Sequence, residues 1–239
     1  DQHATVQEYV AHKLANLLLE INPNNFRRIL EIGCGTGFLT QKMVTNHALQ
    51  SYFINDLAES AFTESCKDLT PENRDKIRCI AGDAEVIDLP DNLDAIVSTS
   101  TFQWFNNLES FIAKANYLLN SNGIFAFSSF GKENFREIRS VLNVGLDYKS
   151  LDETTHLMAT QFEVLHAEEW KHTVEFNHPI EVLKHMKSTG VNSLGNCYFG
   201  KEKLSQFIES YQEKFSTSVK SVTLTYHPII IIAKKRTHA

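Results

Sequence analysis

Residues 27–40 read RRILEIGCGTGFLT, and this stretch decides the fold. The apolar run 29–32 has strand character, and a helical pattern begins at Phe38. Between them stand three glycines at alternate positions, Gly33, Gly35 and Gly37. A turn without side chains lets a ligand lie against the backbone at the start of a helix. The spacing is not the dinucleotide fingerprint G-x-G-x-x-G, because Phe38 takes the place of the last glycine. Glu31 stands inside the strand end, where a buried carboxylate suits an ammonium-bearing ligand better than a pyrophosphate.

Outward from this loop, strand-like runs at 29–32, 52–55, 77–81, 95–99 and 124–130 alternate with helical patterns at 38–44, 58–69 and 108–119. Alternation at this pitch predicts an α/β, doubly wound fold: a mostly parallel sheet with helices on both faces. The next two strands also end in acids. Asp56 lies 23 residues beyond Gly33, where an acid can accept from both ribose hydroxyls. Asp83, in IAGDAE, stands where it could accept from an adenine amine. Both positions are also ones at which Asp caps helices. Cys34, Thr36, Leu57, Gly82 and Ala84 flank these groups, and Ser98 and Thr99 end the fourth strand. Cys34 reads as a small loop residue, not a nucleophile. An amino acid, a ribose and an adenine are the parts of S-adenosylmethionine.

At 239 residues the chain can bury a sizeable core, as one domain with elaborations. Its net charge of −6 argues against a general nucleic-acid or anionic-membrane partner, which needs a basic footprint. No apolar run approaches the ~18 residues of a membrane span. Four cysteines without a C-x-x-C pair read as reduced thiols of a cytoplasmic protein. The chain begins at Asp1 without Met or a leader pattern, which reads as trimming at that end.

A first helix follows from Val6, Val10, Leu14, Leu17, Leu18 and Ile21. After Phe130 a polar helical stretch is expected over 132–157, then a half-buried strand in EEWKHTVEF and helices over 179–188 and 201–215. The closing VTLTYHPIIIIAKK reads as buried strand with a bulge or break at Pro228. Ten histidines, His156, His166, His172, His178 and His185 among them, show no H-x-x-x-H pair, so no metal site is expected. Lys132, Arg136 and Arg139 fall at i, i+4 and i+7 of one expected helix and would share a side, and Lys184 and Lys187 form a second pair.

The set Glu31, Gly33, Gly35, Gly37, Asp56 and Asp83 resembles class I methyltransferases over 29–130. Over nearly the whole chain the sequence resembles the malonyl-acyl-carrier-protein O-methyltransferases of biotin synthesis. That likeness rests on A-x-V-Q in the first helix, Gln103-Trp104 after strand four, F-G-x-x-x-F-x-E-I-R from Phe130, and G-V-N ending at Asn192. Two features depart from the family: the chain starts after the aromatic residue expected before D-x-x-A, and HPII stands in the last strand.

The resemblance implies a seven-stranded Rossmann-like sheet in a single domain over 1–239, with a helical insertion capping the active site. An N-terminal lid helix over 1–22, with Gln7 facing in, and cap elements at 132–160 and 178–216 go with it. It implies transfer of a methyl from S-adenosylmethionine, leaving S-adenosylhomocysteine, to the free carboxylate of malonyl on a carrier protein, or on CoA. Such a carboxylate is already ionised and needs no general base, so alignment and exclusion of water are what remain. Gln103 would donate to the acceptor or orient the pocket, and Trp104 would wall it. Phe130, Asn192 and His185 would face the acceptor. Lys132, Arg136, Arg139 and Lys184 would meet an acidic carrier. Two other readings stay open: a methyltransferase for another small carboxylate or carbon acceptor, and a non-enzymatic S-adenosylmethionine-binding module. Phe38 argues against a nicotinamide oxidoreductase.

Overall fold

The computed structural model describes residues 5–22, 26–188, 200–218 and 220–236. By contacts the chain divides into two compact units. The larger comprises Gln7–Ser129, Ser150–Glu168 and Ile229–Ala239; the smaller comprises Asp1–Val6, Phe130–Lys149 and Glu169–Pro228.

The larger unit is built on the alternation expected from sequence. Strands β1 (Arg28–Ile32), β2 (Ser51–Asp56), β3 (Ile77–Ala81), β4 (Leu93–Thr99) and β5 (Leu119–Phe130) are interleaved with helices α2 (Phe38–Asn46), α3 (Ser60–Cys66), α4 (Pro71–Arg74) and α5 (Leu108–Leu118). The helix expected over 58–69 is thus shorter, and Pro71 starts a new turn capped by Thr70. Helix α1 (Thr5–Ile21) precedes them; α7 (Leu151–Ala159), β6 (Phe162–Glu169) and β9 (Pro228–Lys235) complete the set. The seven strands lie in the order β3-β2-β1-β4-β5-β9-β6. The pairs β1–β2, β1–β4, β2–β3 and β4–β5 are parallel. Strand order therefore reverses between β1 and β4, and a crevice opens there outside the carboxyl ends of the strands. Gly33 follows one of those ends directly.

Strands β1 and β4 are buried on both faces, as their near-continuous apolar sequences require. Under the sheet Phe102, Phe111, Phe125, Phe127 and Phe162 form an aromatic cluster with centroids 5.0–6.2 Å apart in the paired rings. Helix α1 buries Val10, Ala11, Leu14, Ala15 and Leu18, and its Lys13 Nζ lies 2.8 Å from Glu168 Oε2 on β6. Strand β6 shares only Glu168 and Glu169 with the strand expected in EEWKHTVEF, and the rest of it was not expected. Its inward face runs Phe162, Val164, His166, Glu168, so the apolar alternation fades after two residues.

In the smaller unit β7 (His172–Phe176) pairs antiparallel with β8 (Val222–Tyr226). Helices α6 (Arg136–Leu142), α8 (Pro179–Ser188) and α9 (Lys201–Phe215) accompany them. The expected break at Pro228 is where β8 ends and β9 begins, so one apolar run serves two sheets. The expected helix over 132–157 is corrected: α6 starts only at Arg136, 143–149 is not helical, and α7 starts afresh on a Ser150–Glu153 capping box. Phe135 precedes α6 at φ 52°, and its N–H bonds the Thr225 carbonyl, which stops the helix from extending back to Lys132.

Candidate functional site

The loop between β1 and α2 is held from below and open above. The Gly33 and Cys34 N–H groups both donate to the Asn55 carbonyl, at 2.8 and 3.0 Å. Gly37 sits at φ 84°, and a Cβ there would lie 2.5 Å from the Ser65 Cα. A Cβ on Gly33 would strike Thr101. Gly35 differs, since a Cβ there would meet nothing within 4 Å. Gly33 and Gly37 are therefore required by packing, and Gly35 faces open space.

Glu31, two residues before Gly33, lies fully buried. Its Oε2 accepts from the Thr40 and Tyr52 hydroxyls, each at 2.7 Å, while Oε1 is buried without a partner. Burial pushes the carboxyl up to about 7; the two hydroxyls pull it down and the Asp56 charge pushes it up. Burial and then the Glu31 charge hold the Cys34 thiol protonated, which makes it a loop residue and no nucleophile. A buried carboxylate oxygen without a partner, two residues before a glycine turn, suits a ligand ammonium group.

Asp56 ends β2, with Oδ2 accepting from the Gly35 N–H and Oδ1 from the Ala58 N–H, both at 3.0 Å. Asp83 forms a similar turn after β3, accepting from the Glu85 N–H at 2.9 Å. Each is followed by an exposed apolar side chain, Leu57 after Asp56 and Val86 after Asp83, at 76% and 77% exposure. Exposed aliphatics beside two strand-end acids offer apolar surface of the kind that the faces of a purine ring cover. Val86 escaped the sequence reading, as one apolar residue in a polar loop carries no signal. Asn55 escaped it too: its Nδ2 donates to the Ile80 and Gly82 carbonyls, each at 2.9 Å, so one buried residue ties the glycine loop to the end of β3.

The end of β4 carries Ser98 and Thr99, and the turn after it Gln103 and Trp104. Buried Ser98 donates to the Ile32 carbonyl at 2.8 Å and Thr101 Oγ1 to the Thr99 carbonyl, so Ser98 and Thr99 serve the backbone here. Gln103 Nε2 donates to the Ser100 carbonyl at 2.6 Å, and its Oε1 accepts from Ser129. Trp104 is 42% exposed and belongs to no core, whereas Phe102 two residues earlier is buried. Gln7 lies half-buried on α1; Thr36 is exposed, Gly82 half-buried and Ala84 buried.

The smaller unit holds the acceptor-side candidates. Phe130 is buried against Tyr148 and Tyr226. His185 is buried, and its Nε2 shares a hydrogen bond with the Tyr226 hydroxyl, so it points into that unit's own core. The basic stripe is corrected. Lys132 is outside α6, Arg139 donates to the Lys132 carbonyl and lies over the Tyr148 ring, and Arg136 lies near Glu133 and Glu137. Glu133 also pairs with Lys171, so acids offset much of this patch. Lys184 and Lys187 are exposed on α8. Asn192 lies outside the described residues. Among those residues no group of His, Cys, Asp and Glu could hold a metal ion, and no helix is long and apolar enough to cross a membrane.

A profile of the methyltransferase domain family matches residues 30–127, the span from β1 to β5 that carries this loop set. The malonyl-acyl-carrier-protein O-methyltransferase of Bacteroides thetaiotaomicron is 38% identical over 98% of this chain and 92% of its own length. The chain belongs to the malonyl-acyl-carrier-protein O-methyltransferase family. The member from Bacteroides fragilis is 40% identical over 98% of this chain, which spans only 47% of that longer protein. Among solved structures, the YcgJ protein of Bacillus subtilis superposes with a TM-score of 0.70 at 16% identity, over 95% of this chain and all of that one, a likeness of fold. The buried acid, the glycine turn and the two strand-end acids all lie within the span that the methyltransferase domain family matches.

Proposed function

We propose that this chain transfers a methyl group from S-adenosylmethionine to the free carboxylate of malonyl carried on an acyl-carrier protein, in the cytoplasm, making the methyl ester that starts a pimeloyl chain for biotin. Malonyl-CoA is the alternative acceptor, and the reading needs neither a membrane nor a nucleic acid. The observation that carries it is the buried, unpaired Glu31 Oε1 two residues before a glycine turn in which Gly35 opens to free space, within a chain of this family.

S-adenosylmethionine, when bound, supplies a methyl group made electrophilic by its sulfonium. Glu31 gives its ammonium group a counter-charge, Asp56 and Asp83 face its ribose and adenine, and Leu57 and Val86 cover apolar ring surface. The acceptor carboxylate is ionised at neutral pH, so no residue need remove a proton. What the chain supplies is alignment and the exclusion of water. Gln103, held by Ser100 and Ser129, keeps the turn in shape, and exposed Trp104 offers a wall for the malonyl arm. In the same reading the segments 132–149 and 178–216 serve the carrier-bound acceptor, with the exposed Lys184 and Lys187 offered toward an acidic partner.

The test is a mass-resolved transfer assay with malonyl-carrier protein, malonyl-CoA and free malonate side by side. A singly methylated product, strongly preferred on the carrier, is expected. Binding of S-adenosylhomocysteine without product on any malonyl species would overturn the assignment of acceptor.

A further inference from the structure

We propose that Glu85, in the loop after β3, is a positioning residue that fixes the acceptor-side turn 101–107 against the loop bearing Asp83. The inference rests on the methyltransferase reading above and extends it to a residue with no assigned role. The turn is secured in three places. At its start the Ser100 N–H donates to the Ser128 carbonyl at 3.1 Å, and Gln103 accepts from Ser129. In its middle Phe102 enters the aromatic cluster, and the Thr101 side chain lies where a Gly33 Cβ would be.

Its far end is held by Glu85. The Glu85 Oε2 accepts from the backbone N–H and the side-chain amide of Asn106, both at 3.0 Å, and Oε1 accepts from the Asn107 N–H at 2.7 Å. Asn107 in turn caps α5 through the Ser110 N–H, at 2.9 Å. The loop that carries Glu85 is itself anchored, because Lys114 of α5 donates to the Ala84 and Ile87 carbonyls. A carboxylate is the group this place demands. It has only acceptors, and three N–H donors converge on it. A Gln there would keep one oxygen and turn an NH2 toward the remaining donors. The tie therefore runs from the donor-side loop to the stretch that positions Gln103 and Trp104, and it is made by charge.

The chain has two tryptophans, Trp104 and Trp170, so labelling the full-length protein with 5-fluorotryptophan gives two fluorine resonances. Trp104→Phe identifies which is which. In Glu85→Gln the Trp104 resonance is expected to shift or split while the Trp170 resonance stays. The KM for malonyl-carrier protein should rise roughly tenfold, the loss expected when one or two charge-assisted bonds go. The Kd for S-adenosylhomocysteine, measured by calorimetry, should change less than about threefold over the same substitution, since the turn and not the donor is displaced. An unmoved Trp104 resonance with an unchanged acceptor KM overturns the inference. If Glu85→Gln loses the Trp170 resonance as well, Asn106→Ala, which removes only the side-chain bond, decides it: a moved Trp104 resonance upholds the tie and an unmoved one refutes it. Failure of the unaltered protein to bind S-adenosylhomocysteine strikes the donor reading instead, and the fluorine shift still judges Glu85.

Discussion

At the scale of single residues, Glu31 has the most to lose from its surroundings. It is buried, half-satisfied, and titrates near 7 instead of the ordinary 4.5. A carboxyl whose folded pKa is raised binds its proton more tightly in the folded chain. Stability contributed by this group therefore falls as pH rises from about 4.5 to about 7 and is flat above. Ligand binding has the opposite sign. An ammonium group needs the ionised form, so donor affinity should grow as pH climbs through about 7. Burial raises both the Cys34 thiol and the Tyr52 phenol, so neither titrates in that window. Calorimetry with S-adenosylhomocysteine between pH 6 and 7.5 should show a falling Kd. Glu31→Gln should bind about ten- to a hundredfold more weakly at pH 7.5, with no pH slope, as expected for loss of one charged hydrogen bond. A Kd independent of pH in the unaltered protein would count against Glu31 as the counter-charge.

At the scale of the strand–turn–helix element, the three glycines separate packing from binding. Gly35→Ala keeps the space around it clear and carries only the left-handed backbone penalty, about 1–2 kcal/mol. Gly37→Ala drives a methyl into the Ser65 backbone and adds an overpacking cost of about 1–3 kcal/mol. Thermal unfolding should thus separate them, with Gly37→Ala the less stable by several degrees. Gly35→Ala should unfold nearer the unaltered protein yet lose most of its affinity for S-adenosylhomocysteine. Equal Tm losses with equal residual binding would contradict this division. The spacing of the glycines was readable from the sequence. Which of them is packed and which opens to free space was not, because that depends on Ser65 and Thr101 arriving from elsewhere in the chain.

At the scale of the whole molecule, the aromatic cluster and the site share one short turn. In FQWF, residues 102–105, Phe102 is core and Trp104 is exposed. Phe102→Ala should cost about 3–5 kcal/mol of stability. Trp104→Ala should cost under about 1 kcal/mol, as surface changes do, while raising the acceptor KM. Denaturant melts of both variants beside acceptor kinetics check the pair; a Trp104→Ala protein as unstable as Phe102→Ala would return Trp104 to the core. Division into two units leaves Glu31, the glycine turn, Asp56 and Asp83 together in the larger one, which also holds nearly all of the seven-stranded sheet.

What the sequence alone determined is whatever depends on neighbours along the chain. Strand–helix alternation from 28 to 130, the glycine turn, and acids at the ends of β1 and β2 and just after β3 follow from residue type and spacing, and the structure places them as read. Helices 179–188 and 201–215 were legible for the same reason, and the break at Pro228 followed from its missing N–H. Tertiary structure alone decided the rest. Strand β6 is a strand although its inner face turns polar, because it pairs with β9 in the sheet, and Lys13 of α1 meets its Glu168. The basic stripe from Lys132 to Arg139 dissolved, because Thr225 captures the Phe135 N–H and sets where α6 can begin. Asn55 and Glu85, the two ties that align the strand ends, find partners 21 to 27 residues away. A lone Asn or Glu has no period and no spacing. Its role exists only once the parallel sheet has brought the ends of successive strands to one edge.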